Sequence, residues 1–270
     1  SSHNVNISPL GSIEEIVESN DEGSRNVTLG NLGIRLFGTI DNMVGYYLQA
    51  TNGVVISGDR QLALIDPRIN QNVKFAELGS DFDFSESHVI FQKDWFYASI
   101  GRESRLVGSG LDQRLYTSTN APPYDAVSLG VEFKSFEYDF THGSLLAFPI
   151  TRVGAGFQTV IPEKYMVSHR FALQPAWGEI GFWENVIYTD RPVDLSYLNP
   201  LSFFKSLEHA NKDRDNSIMG LDATIRPIDG LQVKGTFLLD DIKFGEIGNN
   251  WWGNKTAWNL ALIAALPGDV

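Results

Sequence analysis

The stretch DAVSLGVEFKSFEYDF, residues 125–140, decides the fold, because apolar and polar residues alternate strictly on both sides of a short turn. Alternation with a period of two is typical of β-strands. If Lys134 and Ser135 form the turn, the two halves pair as an antiparallel hairpin that sorts apolar residues onto one face and polar residues onto the other. The predicted pairs are Phe133–Phe136, Val131–Tyr138 and Leu129–Phe140 on the apolar face, and Glu132–Glu137 and Gly130–Asp139 on the polar face.

Similar alternation recurs along most of the chain and predicts eleven strands. They are expected at 27–40, 43–51, 82–91, 95–101, 125–133, 136–143, 164–173, 180–189, 216–225, 231–241 and 256–265. A second hairpin surrounds RPIDG, a good turn sequence because it combines Pro with Asp-Gly. There we expect Ile225 to face Leu231 and Asp222 to face Lys234.

A third predicted hairpin, HRFALQPAWGEIGFWENV, carries an irregularity. Its pairing places Phe171 opposite Phe182 and Val167 opposite Val186, but it also places His169 and Glu184 on that apolar face. Two explanations remain open: the polar pair lies at the rim of the sheet, or a β-bulge switches the faces.

Helical signal is confined to SIEEIVES, where Ser12 and Glu15 match a capping box. We therefore expect residues 1–25 to be an N-terminal extension containing a short helix, and residues 26–270 to form the β domain.

Short and long connections alternate between the predicted strands. Short turns are expected near 41–42, 92–94, 134–135, 174–179 and 226–230, and long loops near 52–81, 102–124, 144–163, 190–215 and 242–255. All short turns then share one end of the sheet, as in an outer-membrane β-barrel with short periplasmic turns and long extracellular loops. Strand lengths near the ~9–11 residues that cross a bilayer favour this all-β, antiparallel transmembrane barrel over a soluble sandwich or lipocalin-like barrel.

The predicted strand number is odd, whereas single-chain bacterial barrels have even numbers and close on themselves. We therefore expect further strands after Val270.

Composition excludes several function classes. The formal net charge of −12 argues against nucleic-acid binding, and the absence of cysteine excludes thiol catalysis and thiolate metal sites. The five histidines show no metal-ligand spacing, and no nucleophile lies in a recognisable pattern with a base. We expect no catalytic residues, no metal and no cofactor.

Carbohydrate binding requires aromatic platforms and planar polar side chains, and the long loops supply both. The candidate sugar-binding residues are Arg102, Arg105, Asn120, Tyr124, Asp125, Tyr197, Asn199, Phe204, His209, Trp251 and Trp252. Anchoring at a membrane interface, or folding of the loops into the lumen, would explain the same residues. The charged side chains expected to face the lumen are Glu132, Glu137, Asp139, Arg170, Asp222 and Lys234.

Five segments occur in a distinctive order: YYLQATNGVVISGDR (46–60), GRESRLVGSG (101–110), STNAPPYD (118–125), YLNPLSFF (197–204), and NSIMGLDATIRP with GLQVKGTFLLDD (216–241). In this order and spacing they resemble the Wzi-type capsule-assembly family of outer-membrane proteins, over roughly residues 30–265. The resemblance implies a monomeric barrel of about eighteen strands that attaches capsular polysaccharide without chemistry.

The expected function is thus anchoring of surface polysaccharide in the outer membrane of a Gram-negative bacterium, with outer-membrane lipid and polysaccharide as partners. Two alternatives stay open: a passive porin, and a structural barrel subunit that contacts other envelope proteins.

Overall fold

A computed structural model describes residues 2–21, 23–79, 81–111, 114–117, 121–153, 156–212, 214–240 and 243–265. The protein is all-β, with 61% strand, and twelve strands form one large antiparallel sheet. Within the described residues this sheet is not closed into a barrel, and β1 and β14 are its two edge strands. Its strands are β1 (His3–Asn20), β2 (Gly23–Ile40), β3 (Val44–Gly58), β4 (Phe82–Lys93), β5 (Phe96–Glu103), β6 (Tyr124–Phe133), β7 (Phe136–Ser144), β10 (Lys164–Leu173), β11 (Gly178–Thr189), β12 (Asn216–Ile228), β13 (Leu231–Asp240) and β14 (Lys255–Ala264).

All eleven predicted strands form, but the predicted N-terminal helix is wrong. Residues 12–19 belong to β1, which pairs along its whole length with β2, from His3 opposite Ile40 to Asn20 opposite Gly23. The alternation in NVNIS, residues 4–8, is the strand signal that outweighs the local capping pattern. A cap stabilises a helix by about 1 kcal/mol, whereas the strand gains a complete ladder of hydrogen bonds.

Two of the three predicted hairpin registers are confirmed. In β6–β7 Phe133 lies opposite Phe136 and Glu132 opposite Glu137, around a turn in which Lys134 has a positive φ of 57°. In β10–β11 the predicted register also holds over its full length, from Leu173 opposite Ile180 to Lys164 opposite Thr189.

The register predicted around RPIDG is wrong by two residues. Asp222 lies opposite Thr236, and Lys234 lies opposite Thr224. Asp229 and Gly230 alone form the turn, and a register shift between Ile225 and Ile228 absorbs the extra chain. Because a shift of two residues keeps every side chain on its face, the sorting of polar from apolar residues survives the error.

The expected alternation of short and long connections is present, with one exception. The chain between β1 and β2 is short although it lies at the long-loop end. The long loops carry short elements: 3-10 turns at Arg60–Ile65, Leu195–Leu198 and Phe244–Glu246, helices α1 (Pro67–Asn70), α2 (Val73–Ala76) and α3 (Phe204–Ala210), and a separate hairpin of β8 (Ile150–Val153) and β9 (Phe157–Val160). None of the helices in the described part of the chain is long and apolar enough to cross a membrane.

The chain divides into two compact units. The first comprises Ser1–Lys93, Ser99–Ser104 and Thr119–Pro123, and the second comprises Asp94–Ala98, Arg105–Ser118 and Tyr124–Val270.

In the first unit one sheet face is polar and the other is apolar and exposed. On the polar face Gln49 Oε1 accepts hydrogen bonds from Arg35 at 3.1 Å and from Tyr47 at 2.7 Å. Towards the loop end of this face, strand residues Val27, Leu29 and Phe82 pack with loop residues in a buried cluster; the loop residues are Leu62, Ala63, Ile69 and Phe75. The opposite face exposes Val5, Ile7, Leu32, Ile34, Leu48 and Val89.

In the second unit the polar face contains buried charges and the apolar face is again largely exposed. Ser128, Arg170 and Asp222 are buried on the polar face. The apolar face exposes Phe133, Leu173, Ile180, Leu221, Trp258, Leu260 and Leu262.

Among the described residues of the second unit, the apolar face is covered only near the loop end. The described part of the 190–215 loop packs there: Tyr197 and Phe204 join Phe140, Val167 and Val186 in a buried cluster. This cover explains the irregular pair: His169 and Glu184 are buried beneath the loop and hydrogen-bonded to each other at 2.8 Å. Neither explanation left open by the sequence holds, since the pair is not at the rim and the β10–β11 register runs without a shift.

Candidate functional site

The candidate site lies on the polar face of the second unit and centres on Arg170. Arg170 in β10 is directly opposite Asp139 in β7 and opposite Trp183 in β11. Its guanidinium group crosses Gly181, where an added Cβ would lie 2.6 Å from the nearest guanidinium nitrogen. A glycine at that position therefore makes room for the arginine to reach the carboxylates around it.

Asp222 holds Arg170 with two hydrogen bonds, from Nη2 to Oδ1 at 2.7 Å and from Nε to Oδ2 at 3.0 Å. Glu179 accepts a further hydrogen bond from Nη2, and Glu137 Oε1 lies 3.8 Å from Nη1. The Arg170 and Asp222 side chains are only 4% and 1% exposed. A buried charge is costly unless it is paired. The two hydrogen bonds to the Asp222 carboxylate provide that pairing for the buried Arg170 guanidinium group.

A tyrosine hydroxyl completes the carboxylate side of the site. Tyr97 in β5 donates a hydrogen bond to Asp139, and its ring lies over Gly130, where a Cβ would collide with it. Gln174 donates to Glu137 at 2.7 Å. Glu137 and Asp139 are two residues apart in β7 and therefore project from the same face.

The loop that precedes β6 is fastened onto this polar face by hydrogen bonds. The Ser109 hydroxyl donates to the Ala223 carbonyl at 2.8 Å, and Thr236 donates to the Ser109 carbonyl at 2.7 Å. Lys234 lies 3.5 Å from the Gly110 carbonyl oxygen, and Arg105 donates to the Ser128 hydroxyl. The contacts reach β6, β12 and β13, so the loop covers the face rather than extending away from it.

An aromatic stack fixes the same loop near its end. The rings of Tyr116 and Trp183 are 4.4 Å apart at an interplanar angle of 11°. Burial raises the pKa of Tyr116, although its hydrogen bond with Ser168 acts in the opposite direction. The Tyr116 hydroxyl therefore stays protonated and can donate a hydrogen bond.

Between the loop and the strands a cavity of about 360 Å³ remains. Its size falls at the lower end of small-molecule sites, which span ~300–1,000 Å³. It is lined by Tyr97, Arg105, Leu106, Val107, Gly108, Arg114, Tyr116, Thr117, Tyr124, Glu137, Asp139, Thr141, Ser168, Arg170 and Glu179. Tyrosine rings, hydroxyls, guanidinium groups and carboxylates thus line one partly open space, which we call the Arg170 cavity.

The structure brings only some of the predicted sugar-binding residues together. Arg105 and Tyr124 line the Arg170 cavity. Asp125 is exposed at the start of β6, and Arg102 is exposed in the part of β5 that belongs to the first unit. Asn120 lies outside the described residues.

The 190–215 loop supplies the least accessible candidates. Tyr197 and Phe204 are fully buried in the cluster on the apolar face and expose no ring, so their sugar-binding role stays a prediction. Asn199 and His209 are exposed. The Asn199 carboxamide accepts a hydrogen bond from the Leu201 amide at 3.1 Å, which shapes the turn before α3.

Trp251 and Trp252 form a separate aromatic pair in the loop before β14. Their ring centroids are 5.8 Å apart, and the Lys243 ammonium lies 5.4 Å from the centre of the Trp251 ring. Trp252 is 81% exposed, which makes it an open aromatic platform.

The six charged residues predicted to face a lumen lie on one face of the sheet, and the lumen itself stays a prediction. Glu137, Asp139 and Arg170 line the cavity, and Asp222 binds Arg170 from behind it. Lys234 reaches the loop, while Glu132 is exposed opposite Glu137.

Sequence reasoning missed Tyr97, Glu179 and Tyr116. The signal for Glu179 was available, because it alternates with Gly181 in β11, but the predicted strand began two residues too late, at residue 180. Tyr97 and Tyr116 are brought to the site by turns of the chain, and the spacing of neighbouring residues does not predict this.

Within the described ranges, no group of three or more His, Cys, Asp or Glu side chains is arranged to hold a metal ion. The expectation of no metal stays a prediction. Comparison with protein-family models and with curated proteins finds no match for this chain.

Proposed function

We propose that the sheet is the wall of an outer-membrane β-barrel that binds and anchors surface polysaccharide, with no catalytic step. The observation that carries the membrane part is the inverted polarity of the sheet. Charged side chains such as Arg170 and Asp222 are buried on one face, while apolar side chains are exposed on the other. A soluble sheet places these classes the other way round.

The exposed apolar face is too extensive for water. Trp258, Leu260 and Leu262 project from the same face of β14 and are 73%, 70% and 66% exposed. Burial of apolar surface is favourable by ~25 cal/mol per Å², so covering such a band with lipid would stabilise the protein substantially. Alternating lipid-facing and lumen-facing residues are the pattern of transmembrane barrels.

Membrane insertion makes one demand on the sheet. Lipid does not tolerate a row of unpaired backbone groups. The proposal therefore requires that β1 and β14 be hydrogen-bonded in the membrane, either to each other or to strands outside the described sheet.

Coverage of the polar face favours binding over free passage of solutes. In the first unit the loop with Leu62, Ile69 and Phe75 packs on the loop end of this face. In the second unit the loop with Ser109 and Tyr116 is bonded across it. A porin needs this face to border open water, whereas a binding barrel needs it filled and shaped.

The chemistry of the Arg170 cavity suits a sugar. Sugars present CH faces, which contact aromatic rings, and hydroxyl groups, which donate to carboxylates and accept from guanidinium groups. Tyr97, Tyr124, Arg105 and Asp139 supply all of these partners around one space. The motif order that resembles the Wzi-type family supports the same assignment.

Bilayer reconstitution tests the barrel, and glycan retention tests the binding role. We expect the purified chain to insert into liposomes with little ion conductance, and cells producing it to retain surface polysaccharide. Tyr124→Ala should insert normally but release polysaccharide, whereas Tyr124→Phe, which keeps the ring, should retain most of it. Robust conductance would support a porin, and equal retention by both variants would contradict the site.

A structural subunit of a larger envelope complex is a second candidate. It is favoured by the edge strands β1 and β14, whose outer sides are unpaired in the described sheet. Co-purification of a stoichiometric partner through these edges would support it over a free-standing anchor.

A further inference from the structure

We propose that the Arg170 cavity accepts an uncharged sugar residue and excludes acidic ones such as uronates. This inference rests on the proposed polysaccharide-binding function and names the ligand class for that site. It follows from how the charges around the cavity are already used.

The most buried cation of the cavity, Arg170, is already hydrogen-bonded to carboxylates of the protein. Asp222 occupies two hydrogen-bonding positions on Arg170, and Glu179 occupies a third. With Asp222 1% exposed, this carboxylate stays with the arginine because leaving it would strand a buried charge. A ligand carboxylate would therefore have to displace a partner that is held in the protein.

The carboxylates next to Arg170 make the cavity lining acidic. Glu137 and Asp139 project side by side from β7, and Glu179 approaches Arg170 from β11. A carboxylate placed on a sugar in this space would face these groups at short range. Like charges brought close together in a protein cavity repel each other.

The guanidinium groups around the cavity offset most, but not all, of the negative charge of these carboxylates. Arg105 donates to Ser128, and Arg114 donates to the Gly108 carbonyl at 2.6 Å, so both are tied to the protein as well. Three guanidinium groups (Arg105, Arg114 and Arg170) then stand against four carboxylates (Glu137, Asp139, Glu179 and Asp222), which leaves a formal charge of −1. An acidic ligand would make the cavity more negative, whereas a neutral one leaves the balance unchanged.

Hydroxyl groups fit this mixed lining. One sugar hydroxyl can donate to Asp139 or Glu137 while it accepts from a guanidinium N–H group. Arg114 lines the cavity, and its buried Nε has no hydrogen-bond partner among the described residues. The rings of Tyr97, Tyr116 and Tyr124 border the same space and can contact the CH face of a sugar ring. A volume of about 360 Å³ suits a short segment of a glycan chain rather than a long one.

The test compares two oligosaccharides of equal length, a neutral glucose oligomer and a galacturonic acid oligomer, by calorimetry on the detergent-solubilised full chain. We expect the neutral oligomer to bind at least about tenfold more tightly at low ionic strength, with the difference shrinking as salt is added. Equal or tighter binding of the uronate would overturn the inference and leave the polysaccharide-binding function standing. Failure of both oligomers to bind, together with failure of polysaccharide extracted from the producing cell surface, would overturn both.

Charge-removing variants sharpen the comparison. Asp139→Asn keeps the side-chain shape and a partner for Tyr97, and it should improve uronate binding by about tenfold while changing neutral binding little. Glu137→Gln should also improve uronate binding, and it replaces Asp139→Asn in the comparison if that variant does not fold. Asp229→Asn removes one charge from an exposed turn that does not line the cavity, so it should leave the preference unchanged. An equal effect of Asp229→Asn and Asp139→Asn would contradict the assignment.

Discussion

Glu184 and His169 lie opposite each other on β11 and β10, and a 2.8 Å hydrogen bond joins Glu184 Oε2 to His169 Nε2 beneath the 190–215 loop. The same carboxylate accepts hydrogen bonds from the backbone amides of Phe204 at 3.1 Å and Lys205 at 3.4 Å. The Phe204 ring stacks on the His169 ring at 4.3 Å. A buried carboxylate in a strand thus binds the first turn of α3 and holds the loop against the sheet.

The first prediction concerns Glu184. Glu184→Ala should lower the free energy of unfolding by about 3 kcal/mol, because it leaves the buried His169 and two backbone amides without their acceptor. Glu184→Gln should also destabilise, because its amide keeps one acceptor oxygen and its NH₂ group would face at least one of those N–H donors. Hydrogen exchange across residues 195–210 should accelerate in both variants.

Glu163→Gln is the matched control, because Glu163 is an exposed acid at the same end of the sheet. Its exchange pattern and stability should match those of the wild type. Unchanged exchange in Glu184→Ala would mean that the apolar cluster holds the loop without the carboxylate.

The second prediction concerns the stack between Tyr116 and Trp183. Tyr116→Ala removes a half-buried ring that stacks on Trp183, and it should loosen the loop that covers the polar face, detected as faster proteolysis within residues 105–117. If the sheet is a barrel wall, ion conductance in a reconstituted bilayer should rise. Tyr116→Phe keeps the stack, which contributes about 1 kcal/mol beyond burial, and should behave like the wild type. A conducting Tyr116→Phe would indicate that the hydroxyl, rather than the ring, holds the loop.

The third prediction concerns the turn between β6 and β7. Lys134 has a φ of 57°, a left-handed conformation that costs a residue with a Cβ about 1 kcal/mol. Lys134→Gly should therefore raise the urea midpoint of unfolding. Ser135→Gly, in the same turn at a residue with negative φ, gains no such relief and should lower the midpoint. Identical shifts of the urea midpoint in the two variants would contradict backbone strain at Lys134.

The fourth prediction concerns acid sensitivity of the 190–215 loop. Burial alone would raise the pKa of Asp194, but hydrogen bonds from Ser196 and the nearby Arg191 guanidinium outweigh it and lower that pKa. A carboxyl group whose pKa is lower in the folded state stabilises at neutral pH, and this contribution disappears as the pH falls below about 4. The exchange difference between wild type and Asp194→Asn across residues 190–198 should therefore be large at pH 7 and small at low pH.

Asp229→Asn provides the comparison for that experiment, since Asp229 is an exposed acid in a different connection. It should leave exchange in residues 190–198 unaltered at every pH. A pH-independent difference for Asp194→Asn would show that the side chain acts only as a neutral hydrogen-bond acceptor.

The alternation of apolar and polar residues predicted the strands well, because this periodicity depends only on residues that are close in sequence. The β6–β7 and β10–β11 registers followed from the requirement that apolar residues pair with apolar ones. The register at RPIDG failed because a shift of two residues satisfies the same requirement, so only the bulge near Ile228 distinguishes the two. The N-terminal helix failed because a capping pattern is local, whereas the pairing of β1 with β2 is not.

The site was less predictable than the sheet. Alternation alone placed Glu137, Asp139, Arg170 and Asp222 on one face. It could not show that Asp222 would bind Arg170 through two hydrogen bonds. The two residues are 52 positions apart, and they are neighbours only because β11 lies between their strands. It also could not separate Tyr124, which borders the cavity, from Tyr197, which is buried beneath a loop.

The sequence by itself determined an all-β chain with two chemically different sheet faces and with long loops gathered at one end. Those properties depend on residue spacing and turn residues, which act over a few positions. Only the tertiary structure decided which face each loop covers and how the charges around Arg170 are paired. The reason is physical: loop docking and ion pairing depend on distances between residues far apart in the chain, and those distances exist only once the strands have assembled.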